Sequence, residues 1–289
     1  MSEFSKWNQE AFDGLANRYD TEPWQQKVNA QLTKAIQDRL DWLGVDWATP
    51  EKQERDVRLL DYACGTGLVS RALGTHVTTI RGIDISPNMV TTFNARARAA
   101  ALPESRIHAV QGDLFAPSSS SPTPAVSDGA FRDFDVAVVC LGFHHFEDPE
   151  LAVARLVERL RAGGVVLIVD FVAGGGGVQR HGHQHGHGHG HDHPDDHDTG
   201  IPAAGAAEPD TEQQAQQEHE HDQQQPIDPF QAMRHTIKHD GFDEQTMRAL
   251  FDAAGLEEFA YDVLDEPIEM KMRETVRREV FFAKGRKGG

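Results

Sequence analysis

The chain has 289 residues, 38% of them apolar, which is enough to bury a sizeable core. Its formal charge of −18 would repel a phosphate backbone and disfavours nucleic acid as a partner. Its two cysteines, Cys64 and Cys140, form no C-x-x-C pair, which points to a reducing compartment and to packing rather than a disulfide framework.

In chain order, the opening residues carry early acids and no apolar stretch of signal-peptide length, so a cytoplasmic protein is expected. The longest apolar runs, VAVVCLGF and VVLIVDFVA, are too short to cross a bilayer. Trp24, Val28, Leu32, Ile36 and Leu40 recur at steps of four, which predicts an amphipathic helix opened by Pro23 and ending near Gly44. VRLLDYA then reads as a buried strand running into a glycine turn and the helix LVSRALG. VTTIRGIDI is a second strand, followed by a helix with Ser86 as N-cap and Pro87 at its first position. RIHAV and FDVAVVCLG are the third and fourth strands. A helix capped by Asp148 and closed by the glycines of LRAGG leads to the fifth, VVLIVDF. Such alternation implies an α/β fold with a doubly wound parallel sheet and helices on both faces.

Two stretches interrupt the pattern. APSSSSPTPAVSDG is Ser/Pro-rich and reads as a loop between the third and fourth strands. Residues 172–229 hold eleven acids, one base and almost no large apolar side chains, so they cannot offset their ordering entropy and are read as a disordered insertion. Within it histidine occupies every other position from His181 to His193, a supply of imidazoles with adventitious zinc or nickel affinity but no fixed metal site. Order returns in a helix capped by Asp243 and stopped by Gly255, and EEFAYDVL and REVFFAKG read as closing antiparallel strands.

The glycine turn carries the chemistry. GTGLVS approaches G-x-G-x-x-G, and Asp84 lies nineteen residues after Gly65, which alone would suggest a dinucleotide. Ser70 replaces the third glycine, however, and Asp61 ends the strand beside the space a pyrophosphate would need. An acid there favours a ligand with a sulfonium and an ammonium group, such as S-adenosylmethionine.

LLDYACGTG, GIDIS, QGDLF and LRAGGVVLIVDF, in this order, resemble the successive motifs of class I S-adenosylmethionine-dependent methyltransferases over residues 57–171 and 235–284. FHHFEDPELAVARLVERLRAGG is similar to the small-molecule branch that includes the quinone-biosynthesis methyltransferases. The resemblance implies a seven-stranded sheet of order 3-2-1-4-5-7-6 with the seventh strand antiparallel. It implies one methyltransferase domain over 1–289, comprising a helical cap (1–56), a cofactor-binding core (57–171), the insertion (172–229) and the C-terminal part of the sheet (230–285). It further implies that Asp61, Cys64, Gly65 and Gly67 surround the methionine part of the cofactor and that Asp84 holds the ribose hydroxyls. Asp113 would accept from the adenine amino group, with Leu114, Ile85 and Met89 packing on the ring. Cys140, Leu141 and Gly142 would line the methyl end, and Tyr19 would close over the cofactor. The competing readings are a cap of the helix after the glycine loop for Asp61, a turn residue for Asp113, and packing for the cysteines. Ala63 stands where relatives carry glycine and is tolerated if its φ stays negative.

His144 and His145 follow the fourth strand, on the sheet edge where such folds bind ligands, and are candidate general bases. His239, with His235, re-enters after the insertion as a further candidate. A hydrogen-bonded core histidine is the competing reading. The expected function is methyl transfer to a small-molecule O-, N- or C-nucleophile without nucleic acid or membrane. The alternatives are an NAD-dependent oxidoreductase or a non-enzymatic metal-binding or scaffold protein.

Overall fold

Three helices lead into the sheet: α1 (Glu3–Leu15), α2 (Pro23–Gln37) and α3 (Leu40–Leu43). Ser2 caps α1 by accepting the Ser5 N–H at 3.0 Å, and Pro23 opens α2. The chain then alternates through β1 (Arg58–Tyr62), α4 (Leu68–Leu73), β2 (Thr79–Asp84), α5 (Pro87–Ala99), β3 (Ile107–Gln111), β4 (Phe134–Cys140), α6 (Pro149–Arg159) and β5 (Leu160–Val178). It closes with α7 (Glu244–Ala253), β6 (Leu256–Val263), β7 (Ile268–Lys271) and β8 (Thr275–Lys287). This computed structural model describes residues 2–49, 55–115, 126, 129–178, 233–271 and 274–289.

The strands form one sheet of order β3-β2-β1-β4-β5-β8-β6, with β7 paired to β8 beside this path. β1 to β5 run parallel and β8 is antiparallel to both its neighbours. β8 therefore occupies the place expected for a seventh strand. The central strands bury both faces, as their near-continuous apolar runs require. Val165, Leu167 and Val169 of β5 face a core shared with α2 and α4, while Val166 and Ile168 face the other core, shared with α6 and α7. Side-chain caps start three further helices: Ser86 accepts from Met89 N, Asp148 from Leu151 N, and Asp243 from Thr246 N.

The structure departs from the sequence reading at three places besides the helix expected from Pro23 to near Gly44, which ends at Gln37 and leaves Leu40 to the separate α3. First, there is an eighth strand. The β7 stretch IEMK is too short to show alternation and contributes one fully buried side chain, Ile268, while pairing with β8. Second, α6 ends at Arg159 instead of running to the glycines, because Leu160 already pairs with Phe134 and is buried in the core. Third, β5 continues beyond Phe171, so residues 172–178, expected in the insertion, are strand. Gly176, Gly177 and Val178 pair with Arg278, Arg277 and Val276 of β8. A run of glycines has no side-chain periodicity, so backbone pairing alone reveals such a strand. The disorder expected over 179–229, its histidine run, and the Ser/Pro-rich loop at 116–125 fall outside the described residues.

Candidate functional site

At the carboxyl edge of β1, β2 and β4 the sheet opens into a cavity of about 340 Å³, roofed by α1 and the turn that follows it. The ends of parallel strands are where such sheets gather ligands, because the adjoining loops diverge there. Of the residues expected at a cofactor site, Tyr19, Gly65, Asp84, Ile85, Met89, Asp113, Cys140, Leu141 and Gly142 line this cavity, and so does His145.

Asp84 sits at the tip of β2, 8% exposed. One carboxylate oxygen accepts the Gly65 N–H at 2.8 Å and the other the Ser86 N–H at 2.9 Å. Burial pushes its pKa up to about 6 against these two bonds, and the nearby Asp13 charge adds to the rise. At the end of β3, Asp113 accepts the Phe115 N–H at 2.9 Å and lies beside the Tyr62 hydroxyl. Tyr62, Phe115 and Phe146 form an aromatic wall with centroids 4.9–5.6 Å apart.

The glycine loop is shaped by steric necessity at Gly67. Its φ is +94°, and a Cβ there would come within 2.9 Å of the Phe93 ring. Ala63 departs from expectation, with φ at +55° rather than negative. For an L-residue this costs about 1–2 kcal/mol. A Cβ added to Gly142 would meet the Ala63 methyl at 3.0 Å, so that methyl and Gly142 pack closely in the cavity wall. Leu141 is also left-handed, at φ +53°, and its N–H is held by the Val169 carbonyl at 2.8 Å. Strain of this kind persists only where the surroundings enforce it.

Four expected site residues do not reach the cavity wall. Asp61 is 1% exposed, and its Oδ2 accepts both the N–H and the hydroxyl of Ser70, at 3.1 and 2.7 Å, so it caps the first turn of α4. Burial raises its pKa to about 7 against the Ser70 bonds, with the Asp84 charge adding to the rise. Cys64 is buried beneath the loop, its thiol pushed well above the usual range by burial. Gly67 and Leu114 likewise lie behind the wall, Leu114 in the core.

The histidines separate by their partners. The His145 ring Nδ1 is 2.7 Å from the Thr236 carbonyl, which can only accept, so the hydrogen is on Nδ1 and the lone pair on Nε2. Burial and the neighbouring His144 lower its pKa to about 3, which leaves it neutral. The edge of its ring meets Phe12 of α1 at 5.1 Å. His144 is buried behind it and donates from its ring Nδ1 to Asp170 at 2.7 Å, while its backbone N–H reaches the other oxygen of Asp170 at 3.0 Å. The His144 carbonyl accepts from Lys238 and His239 N–H. His239 donates from Nε2 to the Phe146 carbonyl at 3.0 Å, away from the cavity lining, and His235 is exposed. Among the described residues no cluster of metal-ligating side chains occurs.

Sequence reasoning missed Asp170, Tyr62, Phe12 and Phe146. Asp170 had a readable signal, because a lone acid ends the apolar run VVLIVDF on the same sheet edge as the paired histidines. Phe12 had none beyond its place on an N-terminal helix.

Residues 60–166 match the family model described as a methyltransferase domain. An uncharacterised methyltransferase of Schizosaccharomyces pombe is 30% identical over 147 residues, which are 50% of this chain and 50% of that protein. The demethylmenaquinone methyltransferase of Thermus thermophilus is 30% identical over 165 residues, 55% of this chain and 64% of the relative. The chain thus spans between half and two thirds of the length of these curated relatives. A chain in the solved complex of a Haloferax volcanii methyltransferase activator with its candidate methyltransferase superposes at a TM-score of 0.56, with 15% identity, over 97% of both chains. That likeness shows a shared fold. The matching segment shows a methyltransferase domain over residues 60–166, carried on the doubly wound sheet described above.

Proposed function

We propose that the protein transfers a methyl group from S-adenosylmethionine to a small-molecule acceptor. The charge of the cavity carries this reading. Asp84 and Asp113 stand in its wall, Glu147 and Asp148 line it farther out, and neither lysine nor arginine occurs among its described lining residues. A pyrophosphate would meet only like charge there, whereas a sulfonium with an ammonium group is attracted. The volume is that of a small-molecule site.

The residues fit the cofactor. Each Asp84 oxygen accepts one backbone N–H and keeps a lone pair for a ribose hydroxyl. Asp113 would accept from the adenine amino group, with Ile85 and Met89 against the ring. Gly65, Cys140, Leu141 and Gly142 would hold the methionine end, and Tyr19 would close over it. When bound, the cofactor supplies a methyl group already activated on sulfur. The chain's own work is then alignment and exclusion of water, for which the aromatic wall and the α1 roof are suited.

The lone pair on His145 Nε2 is available to accept a hydrogen bond from an acceptor hydroxyl or amine and so orient it. His144, held by Asp170, backs that ring. The same cavity charge favours an acceptor that is neutral or cationic over a carboxylate or phosphate. Kinship with a demethylmenaquinone methyltransferase supports a small aromatic acceptor. Calorimetry with S-adenosylhomocysteine and with NADH tests the reading: binding of the first and not the second is expected, and the reverse would overturn it.

A further inference from the structure

Behind the glycine loop lies a second hollow, a groove of about 310 Å³ between α4, α5 and the β2–β3 edge. Its floor is apolar, made by Ile80, Phe93, Ala97 and Ile107, all at most 8% exposed. Its rim carries three guanidinium groups, Arg71, Arg96 and Arg106. This is conspicuous in a chain whose net charge is −18. Only one carboxylate among the described residues pairs with them: Asp20, which holds Arg96. Arg71 uses one nitrogen on the Thr66 carbonyl at 2.8 Å, and Arg106 one nitrogen on the Gly74 carbonyl at 3.1 Å. Neither makes an ion pair with a described residue. Partial burial and the Arg96 charge lower the Arg71 pKa, as expected for positive charge short of a counter-ion.

We propose that this groove binds an amphiphilic carboxylate, with its apolar body on the Phe93–Ala97 floor and its head between Arg71 and Arg106, and that occupancy tightens the cofactor site. A planar carboxylate matches the guanidinium fork, and the apolar side chains at the bottom of the groove match the body. The coupling runs through the glycine loop, which is the partition between the two hollows. The Thr66 carbonyl accepts from both Arg71 and Arg96, at 2.8 and 3.3 Å. The Thr66 hydroxyl donates to Asp20 at 2.5 Å, and the preceding residue, Gly65, donates its N–H to Asp84 at 2.8 Å. Tyr19, beside Asp20 in sequence, lines the first cavity. An anion on Arg71 and Arg106 relieves the repulsion between Arg71 and Arg96 and leaves both free to hold Thr66 in place. The coupling, though not the groove itself, rests on the cofactor reading above.

The test uses the full chain at low ionic strength with 2-naphthoate, its uncharged alcohol 2-naphthalenemethanol, and inorganic phosphate. Naphthoate is expected to bind at least tenfold more tightly than the alcohol or phosphate. The Arg71→Gln/Arg106→Gln double variant is expected to abolish that advantage while keeping its melting temperature. S-adenosylhomocysteine affinity should rise about three- to tenfold with saturating naphthoate in the wild type, and stay unchanged in the double variant. Equal binding of acid and alcohol, phosphate binding as tight as naphthoate, or naphthoate binding that survives the double substitution or is displaced by S-adenosylhomocysteine would each overturn the site. Selective binding without any change in S-adenosylhomocysteine affinity would overturn the coupling. If S-adenosylhomocysteine does not bind at all, the proposed function fails, and the acid-against-alcohol comparison still decides the groove.

Discussion

Replacing Asp61 by asparagine should make the ligand-free protein more stable at alkaline pH. The carboxyl is 1% exposed, and its pKa is raised by burial from 3.8 to about 7. The folded state therefore holds this proton more tightly than the unfolded chain. The stability the group contributes is complete below its unfolded value of 3.8 and is lost as pH rises through about 7. That separation corresponds to about 4 kcal/mol at pH 8. Both Ser70 bonds fall on Oδ2, so an amide oxygen in its place keeps them while removing the charge. Asp61→Asn should thus gain about 4 kcal/mol over wild type at pH 8, or roughly 8–16 °C in Tm for a domain of this size, and under about 1 kcal/mol at pH 4. Thermal melts of both proteins at intervals from pH 4 to pH 8 provide the assay. The wild-type Tm should fall across this range relative to the variant, while S-adenosylhomocysteine affinity drops in the variant because a nearby negative charge is gone. Two curves that run parallel at every pH would refute the reasoning, since a desolvated carboxyl titrating near neutrality must change their separation.

Asp84→Ala should lower S-adenosylhomocysteine affinity by about 100-fold or more, through loss of two charged hydrogen bonds to the ribose, as measured by calorimetry. His145→Ala should reduce turnover by about tenfold or more through loss of acceptor alignment, with cofactor affinity retained. Because the His145 pKa lies near 3, its protonation should add no acid limb to the rate profile above about pH 4. Asp170→Asn should impair turnover in the same direction by loosening His144 behind that ring, and a wild-type rate for this variant would remove His144 from the machinery. Ala63→Gly should raise stability by up to about 1 kcal/mol in urea denaturation, the relief of a left-handed alanine being partly offset by unfolded-state entropy.

Much of this molecule can be read directly from its residues. Apolar runs separated by capped, periodic segments determine a parallel sheet with helices on both faces, because a strand buried on two sides must be apolar at every position and a surface helix at only one face. The caps Ser86, Asp148 and Asp243 act over three residues, and local interactions of that range are visible without the fold. Asp84 was legible for a related reason, since a strand end followed at fixed spacing from a glycine turn places it at the sheet edge. Tertiary structure alone decided what depends on distant partners. β7 and the glycine-rich end of β5 exist because β8 offers them backbone hydrogen bonds, and their own side chains carry no pattern. Whether Asp61 faces a ligand or Ser70, and which ring nitrogen of His145 holds the hydrogen, were settled by Ser70 and by a carbonyl at Thr236, ninety-one residues away in the chain. The three arginines behind the glycine loop come from α4, α5 and the β2–β3 edge, so their shared charge exists only once packing brings those segments together.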